Sequence, residues 1–395
     1  MIGEESRERL LGKEVEVFTN QFIGRGTLII GSKDTGSGEA LGPIIKALEN
    51  DYTIVVYADR LAARVLGKSQ YSLEALNNAP EYTQAVGYFN PELVLTGVSQ
   101  SGPGIERSLT RQARAGGTPS IWISDGLFGT KPSHLFYPHG LDVYPDYVCL
   151  PYNVSQRFFE ETVPKFNRER IYVTGNPAFD ELFLLAQRKS EIRERVRREL
   201  GIDSLTKLMV FASQADACDI DILADVVDTL INIPEDIALT LRLHPADRRK
   251  IDEFKPLLDR FKQAGKGKLV DSDMVGEINE LVVASDLVAS KFSTVNLKGI
   301  YFRKLVLYLL ESEEARRVLR YDQKIEPDEL PMIQLGDAIG VLDIDQLRPA
   351  VELLFNTNSL QGIIKAQETD YPLDGKNTER VVSVIETARR QRDQK

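Results

Sequence analysis

Short β-branched runs recur along this chain with helix-length segments between most of them, and that alternation constrains the fold more than any other feature. Thr27–Ile30 (TLII), Thr53–Tyr57 (TIVVY), Leu93–Thr96 (LVLT), Ser120–Ile123 (SIWI), Tyr147–Leu150 (YVCL) and Ile171–Thr174 (IYVT) read as strands. Glu39–Leu48, Ile105–Ala115 and Ser155–Thr162 carry helical spacing. Strands that alternate with helices build βαβ units, because a parallel strand pair needs a long crossover. The pattern then restarts with Leu208–Phe211, Ala238–Leu243, Asp286–Ala289 and Leu305–Leu309. A chain of 395 residues is long enough for two cores, so two consecutive α/β domains are expected.

The break between them is expected near Gly175-Asn176-Pro177, followed by one long polar helix, Phe179–Leu200. A second loop near Tyr371-Pro372 precedes a last helical segment, Asn377–Arg390. The expected division is therefore 1–175, 176–374 and a closing helix in 375–395.

Charge narrows the classes of function. With 49 basic against 59 acidic side chains the net charge is −10, which disfavours a nucleic-acid binder, whose face must neutralise phosphates. Cys149 and Cys218 stand in no metal-ligand or disulfide-framework spacing, which fits a reducing cytoplasm and no metal. The opening MIGEESRERLLGKEVEVF lacks the apolar core of a signal peptide, and no apolar run spans a bilayer.

In open α/β sheets ligands bind beyond the carboxyl ends of the strands, so the strand-to-helix loops are the places to search. The first is Gly31-Ser-Lys-Asp-Thr-Gly36-Ser-Gly38-Glu-Ala-Leu-Gly42. Gly36 and Gly38 permit close backbone approach, and the helix that follows favours an anion or a hydroxyl-rich ligand. Asp59 ends the next strand where a dinucleotide fold would place its ribose acid, yet the spacing is not G-x-G-x-x-G. The same glycines could serve only a tight turn and helix–strand packing.

The third and fourth strands end at Thr96-Gly97-Val-Ser99-Gln-Ser101-Gly102 and at Ser124-Asp125-Gly126. Asp125 follows an apolar run, so burial should raise its pKa and suit it to act as general base toward a sugar hydroxyl. The competing reading is a turn or cap aspartate. Glu39, on the first loop, is the alternative base.

In the second half, Leu241-Arg242-Leu-His244-Pro245 closes a strand. Residues two apart share a face, so Arg242 and His244 leave together and form a guanidinium–imidazole pair suited to phosphate. The stretch Ser285-Asp286-Leu-Val-Ala-Ser290-Lys291-Phe-Ser293-Thr294 then runs into a helix. Ser293 and Thr294 are natural N-caps beside free backbone N–H groups, and Lys291 adds positive charge.

Four stretches together carry a resemblance: Val173-Thr-Gly-Asn-Pro177-Ala-Phe-Asp180, His244-Pro245, Ala284-Ser-Asp-Leu-Val-Ala-Ser-Lys-Phe-Ser-Thr-Val295 and Asp374-Gly-Lys-Asn-Thr-Glu-Arg-Val381. They resemble the two-Rossmann-domain (GT-B) glycosyltransferases and their relatives, the UDP-N-acetylglucosamine 2-epimerases, and in motif the sialyl-, Kdo- and CDP-glycerol-transferase types. The resemblance implies two Rossmann-like domains facing each other across a cleft, with the last helix crossing back to the first. It implies an acceptor-binding N-terminal domain with Asp125 as base, and a nucleotide-binding C-terminal domain with His244, Ser293 and Thr294 at the phosphates. Lys298 stands where many members carry a glutamate for the ribose, and a lysine cannot accept from a ribose hydroxyl. Glu39 stands near the place where several relatives have a histidine.

The expected activity is glycosyl transfer from a CMP-, CDP- or UDP-linked donor to a sugar or glycolipid acceptor, in surface polysaccharide or glycoconjugate synthesis. No further cofactor is implied. A 2-epimerase or hydrolase is the alternative enzyme, and a nucleotide-binding scaffold without turnover is the third reading. A homo-oligomer stays open, as does peripheral contact with anionic headgroups through Arg188–Arg198. Elsewhere, His134 and His139 flank Phe136-Tyr137-Pro138 without a third ligand. Trp122 reads as core, and the acidic runs Asp216–Asp228 and Glu311–Glu314 read as solvated helix surface.

Overall fold

The computed structural model describes residues 15–20, 24–67, 73–76, 78–98, 104–125, 143–214, 218–244, 251–265, 268–270, 276–317, 319–320 and 326–393. Eight strands form a first sheet: β1 (Val15–Thr19), β2 (Thr27–Ser32), β3 (Thr53–Asp59), β4 (Glu74–Ala75), β5 (Leu93–Thr96), β6 (Ser120–Ile123), β7 (Tyr147–Leu150) and β8 (Ile171–Val173). Their order is β4-β1-β3-β2-β5-β6-β7-β8. From β2 onward the pairs are parallel, while β1 lies antiparallel to β3 and β4. The inner strands are buried on both faces, as expected for a parallel sheet covered by helices.

A second sheet contains β9 (Lys207–Ala212), β10 (Ile237–Arg242), β11 (Lys268–Val270), β12 (Leu287–Ser290), β13 (Leu305–Leu309) and β14 (Ile339–Val341). It is parallel throughout, in the order β11-β10-β9-β12-β13-β14. In each sheet the chain moves outward to one side of a central strand and then returns to the other. The switch points therefore fall between β2 and β5, and between β9 and β12.

The chain divides into two units, 1–180 with 376–395, and 181–375. The last helix, Asn377–Asp393, belongs to the first unit. Its Val381, Val384, Ile385 and Ala388 are buried in one core with Leu28, Ile54, Leu93 and Ile121. A separate core in the second unit joins Phe211, Leu239, Leu287 and Leu307 to Leu223, Val227, Phe254 and Val351.

Two expectations need correction. The long polar helix is two helices, Asp180–Gln187 and Lys189–Glu199, with Arg188 out of helical geometry between them. Leu182 is buried in the first of them, and Ile192 and Val196 in the second. Strands β1, β4, β11 and β14 were not expected. They are edge or next-to-edge strands of two to five residues, too short or too polar to show as apolar runs.

Candidate functional site

In the first unit, functional side chains gather where β2, β5 and β6 end. Asp34 caps the helix Thr35–Leu48: its Oδ1 accepts from the Ser37 backbone N–H at 2.9 Å, and Ser37 Oγ accepts from the Asp34 N–H at 3.4 Å. Ser37 Oγ also meets Ser32 Oγ at 2.7 Å, which ties the strand end to the first turn. Gly36 lies in that turn, and the Asp125 carboxylate occupies the space its β-carbon would need.

Asp125 sits just past β6 and is partly enclosed. Its carboxyl is pushed up to about 8, first by burial, then by the negative charges of Asp34 and Glu39. Glu106, in the helix Ile105–Gly116 after β5, is also pushed up to about 8 by burial and Asp34, with Lys33 opposing. Glu39 is exposed and close enough to Asp125 to act on it electrostatically. At neutral pH this end of the sheet holds carboxyl groups with protons to give or take.

The Gly175-Asn176-Pro177 motif positions Asp125 and does not merely mark a linker. Asn176 Nδ2 donates to the Asp125 carbonyl at 3.1 Å, and the Asn176 carbonyl accepts from Asn377 Nδ2 at 3.0 Å. Gly175 has φ 79°, and Asn377 fills the space a side chain would take. Asp180 accepts the Asn377 and Thr378 backbone N–H groups, each at 2.8 Å, and so caps the last helix. Two motifs read separately in the sequence thus interlock.

Gly38 is buried, and a β-carbon there would make an ordinary contact with Ala62 at 3.4 Å, in the helix Arg60–Leu66. Trp122 is buried, and its Nε1 donates to Thr110 Oγ1 at 3.0 Å. Asp59 ends β3 beside antiparallel β1. Ser99, Ser101, Gly102, Gly126, His134, His139, Pro245 and Asp216 lie outside the described residues.

In the second unit, Ser213 joins the ends of β9 and β10. Its backbone N–H donates to the Arg242 carbonyl at 2.9 Å, and its Oγ accepts from the His244 N–H at 3.1 Å. His244 is exposed, and Arg242 reaches the Gly276 carbonyl at 3.3 Å. After β12, Ser293 caps the helix Thr294–Tyr301 by accepting from the Val295 N–H at 3.2 Å, while its own N–H donates to Ser290 Oγ at 3.0 Å. Thr294 is exposed at the helix start, and Lys298 is half-buried on the same helix.

Lys291 differs from its sequence reading. It is 2% exposed, and its Nζ lies 2.9 Å from Asp219 Oδ1 and 3.3 Å from Cys218 Sγ. Asp219 Oδ2 accepts from the Gln214 N–H at 2.6 Å. The pair spans the β9/β12 switch point, so the Lys291 charge is engaged in holding two loop starts together. Asp219 is correspondingly buried, not solvated helix surface.

Sequence reasoning missed Glu311. It follows β13, and neither of its carboxylate oxygens, both buried, has a hydrogen-bond partner among the described residues. Burial, then Asp225, pushes its carboxyl up to about 7 against the pull of Arg316 and Lys291. The available signal was position: it is the first charged residue after the apolar run Leu305–Leu310. Among the described residues no group of three or more His, Cys, Asp or Glu side chains could hold a metal ion, and no helix is long and apolar enough to cross a membrane.

Comparison with known proteins adds to this geometry. Residues 142–314 match the family model for CDP-Glycerol:Poly(glycerophosphate) glycerophosphotransferase. That stretch contains Arg242, His244, Lys291, Ser293, Thr294 and Glu311, but not Gly36, Glu39 or Asp125. No curated protein matches in sequence. The UDP-GlcNAc 2-epimerase of Neisseria meningitidis, solved with UDP-GlcNAc, shares the fold with TM-score 0.60 and 14% identity, over 91% of this chain and 100% of that one. The wall teichoic acid polymerase TagF gives TM-score 0.52 and 13% identity, over 92% and 89%. The Anabaena protein HepE, solved with UDP-glucose, gives 0.57 and 14%, over 92% and 100%. The fold expected from the motifs, α/β with two Rossmann-like domains of the GT-B type, is the fold found.

Proposed function

We propose that this chain, a GT-B-like protein with a CDP-glycerol glycerophosphotransferase-type domain over residues 142–314, transfers a group from a nucleotide-activated donor to a hydroxyl acceptor in surface-polymer synthesis. The observation that carries the chemistry is Asp125, a partly enclosed carboxyl raised to about 8 at the end of β6. In its ionised form it takes the acceptor hydroxyl proton as the acceptor oxygen forms its new bond. The bond to the nucleotide breaks, and the leaving phosphate carries away the negative charge.

The family match supports a CDP-linked donor. Arg242, the His244 loop and the Ser293/Thr294 helix start suit its phosphates. Glu311 offers two unfilled acceptor oxygens, the chemistry that Lys298 cannot provide toward ribose hydroxyls. Lys291 supports these loops through Asp219 and does not itself touch phosphate. A glycolipid or growing polymer is the acceptor, reached at a membrane surface.

The carboxylates Asp34, Glu39, Glu106 and Asp125 around one sheet end also favour a second reading, movement of a sugar proton in an epimerase or hydrolase. Incubation with CDP-glycerol or with UDP-N-acetylglucosamine separates the two. Acceptor-dependent release of CMP, lost in Asp125→Asn, is the expected result. Turnover of UDP-N-acetylglucosamine without any acceptor would favour the second reading, and no turnover with either donor would overturn both.

A further inference from the structure

The second sheet has a pocket at the edge opposite its His244 and Ser293 loops. Lys207 opens β9, Asp286 precedes β12 and Lys304 precedes β13, so all three stand at the amino ends of the strands. Lys189 and Arg193 reach the same place from the helix Lys189–Glu199, and Arg303 from the turn before β13. Together they line a pocket of about 240 Å³ in which five cationic side chains face one carboxylate.

That carboxylate is already shared. Asp286 Oδ1 accepts from Arg193 at 2.9 Å, and Oδ2 accepts from the Leu208 N–H at 2.9 Å and from Arg197 at 3.3 Å. Part of the positive charge has a structural explanation, because Arg193, Arg197 and Lys304 donate to the last carbonyls of the helix Ile278–Ala284 and the residue after it. Lys189 donates instead to the Phe302 carbonyl at 3.4 Å, and Lys207 and Arg303 have no such role at that helix end. Lys304 is 4% exposed, and its Nζ donates to the Val283 and Ser285 carbonyls at 2.6 and 2.7 Å, which leaves one of its three N–H donors. Burial, then Lys189 and Arg193, holds its pKa well below the ordinary lysine value, a cost that a bound anion would offset. Arg303 keeps φ 60°, a left-handed backbone that few arginines adopt, and donates to the Ile300 and Tyr371 carbonyls.

We propose that this pocket binds a compact phosphoryl anion, at a site separate from the one assigned to the nucleotide donor. Its volume is below the roughly 300–1,000 Å³ of sites that enclose drug-sized ligands, so a phosphate, a pyrophosphate or a phosphodiester headgroup fits better than a whole nucleotide. Leu305, Leu354 and Leu360 complete the wall. The ligand is either soluble or the headgroup of an anionic phospholipid; both present the same oxygens.

The test is pyrophosphate binding by calorimetry and sedimentation with phosphatidylglycerol vesicles, with phosphatidylcholine vesicles as the control. Lys189→Gln/Lys207→Gln keeps both aliphatic stems and is compared with wild type, each with saturating CDP present to fill the donor site. At least a tenfold loss of pyrophosphate affinity in the double variant is the expected result for a soluble ligand. Loss confined to phosphatidylglycerol vesicles assigns the pocket to a headgroup. Unchanged binding of both probes in the double variant, or no binding of either by wild type, overturns the proposal. Should the double variant not fold, Lys207→Gln alone gives the same comparison.

Discussion

The Asp125 carboxylate rests against the backbone of Gly36, in the space where any other residue would place its β-carbon. This contact joins the end of β6 to the first turn of the helix after β2, and it gives that glycine a reason that no turn geometry supplies. Gly36→Ala should therefore displace Asp125. Activity should fall with only a small change in Tm, and the loss should not add to that of Asp125→Asn, because both act on one group.

Removal of the Asp125 charge should slow transfer itself. Asp125→Asn is expected to lower turnover by roughly 10²–10⁴-fold while nucleotide affinity by calorimetry stays as in wild type. Equal turnover in the two proteins would reduce Asp125 to a turn residue.

A base raised to about 8 makes turnover climb with pH through neutrality and level off above that value. Glu39 contributes to the rise, so Glu39→Gln should move the climbing limb to lower pH. The same limb in both enzymes would mean that Glu39 does not act on the base.

Stability should run the other way. Asp125 and Glu106 are pushed up to about 8, and Glu311 and Asp337 to about 7, so the folded protein holds protons that an unfolded chain releases above about pH 4. The stability these groups contribute is full below that pH and is lost as pH rises through 7 and 8. Glu106→Gln should raise Tm at pH 8.5 more than at pH 5, by about 2–4 °C for each kcal/mol recovered.

The nucleotide side can be separated from its scaffold. His244→Ala, Ser293→Ala and Glu311→Gln should each weaken CDP binding, by about 1–3 kcal/mol where a hydrogen bond involving a charged group is lost. Lys291→Met removes the cation 2.9 Å from the buried Asp219 carboxylate, and should cost about 3–5 kcal/mol in urea unfolding. Adding Asp219→Leu to Lys291→Met should recover much of that loss. If Lys291→Met lowers affinity and leaves stability intact, Lys291 is a phosphate ligand after all.

Much of this protein was determined by local sequence. Runs such as Leu93–Thr96, Ser120–Ile123, Tyr147–Leu150 and Leu305–Leu309 are strands with those same bounds, because an inner parallel strand is buried on both faces and so stands out as a short apolar run. The loops that carry Asp125, His244 and Ser293 follow from the same alternation, since parallel strands place their carboxyl ends on one edge. What each loop residue does was decided only by tertiary contacts. Lys291 and Asp219 are 72 positions apart, and only the crossover that sets β12 beside β9 brings their charges to 2.9 Å. Asn176 reads in the sequence as part of a break, and the distant Asn377 donates to its carbonyl at 3.0 Å. Glu311 belongs to a run of acids that looks solvated, and the packing around the end of β13 buries its carboxylate. A residue's type and spacing specify the element it sits in; the charge it meets depends on which distant element the sheet order places beside it.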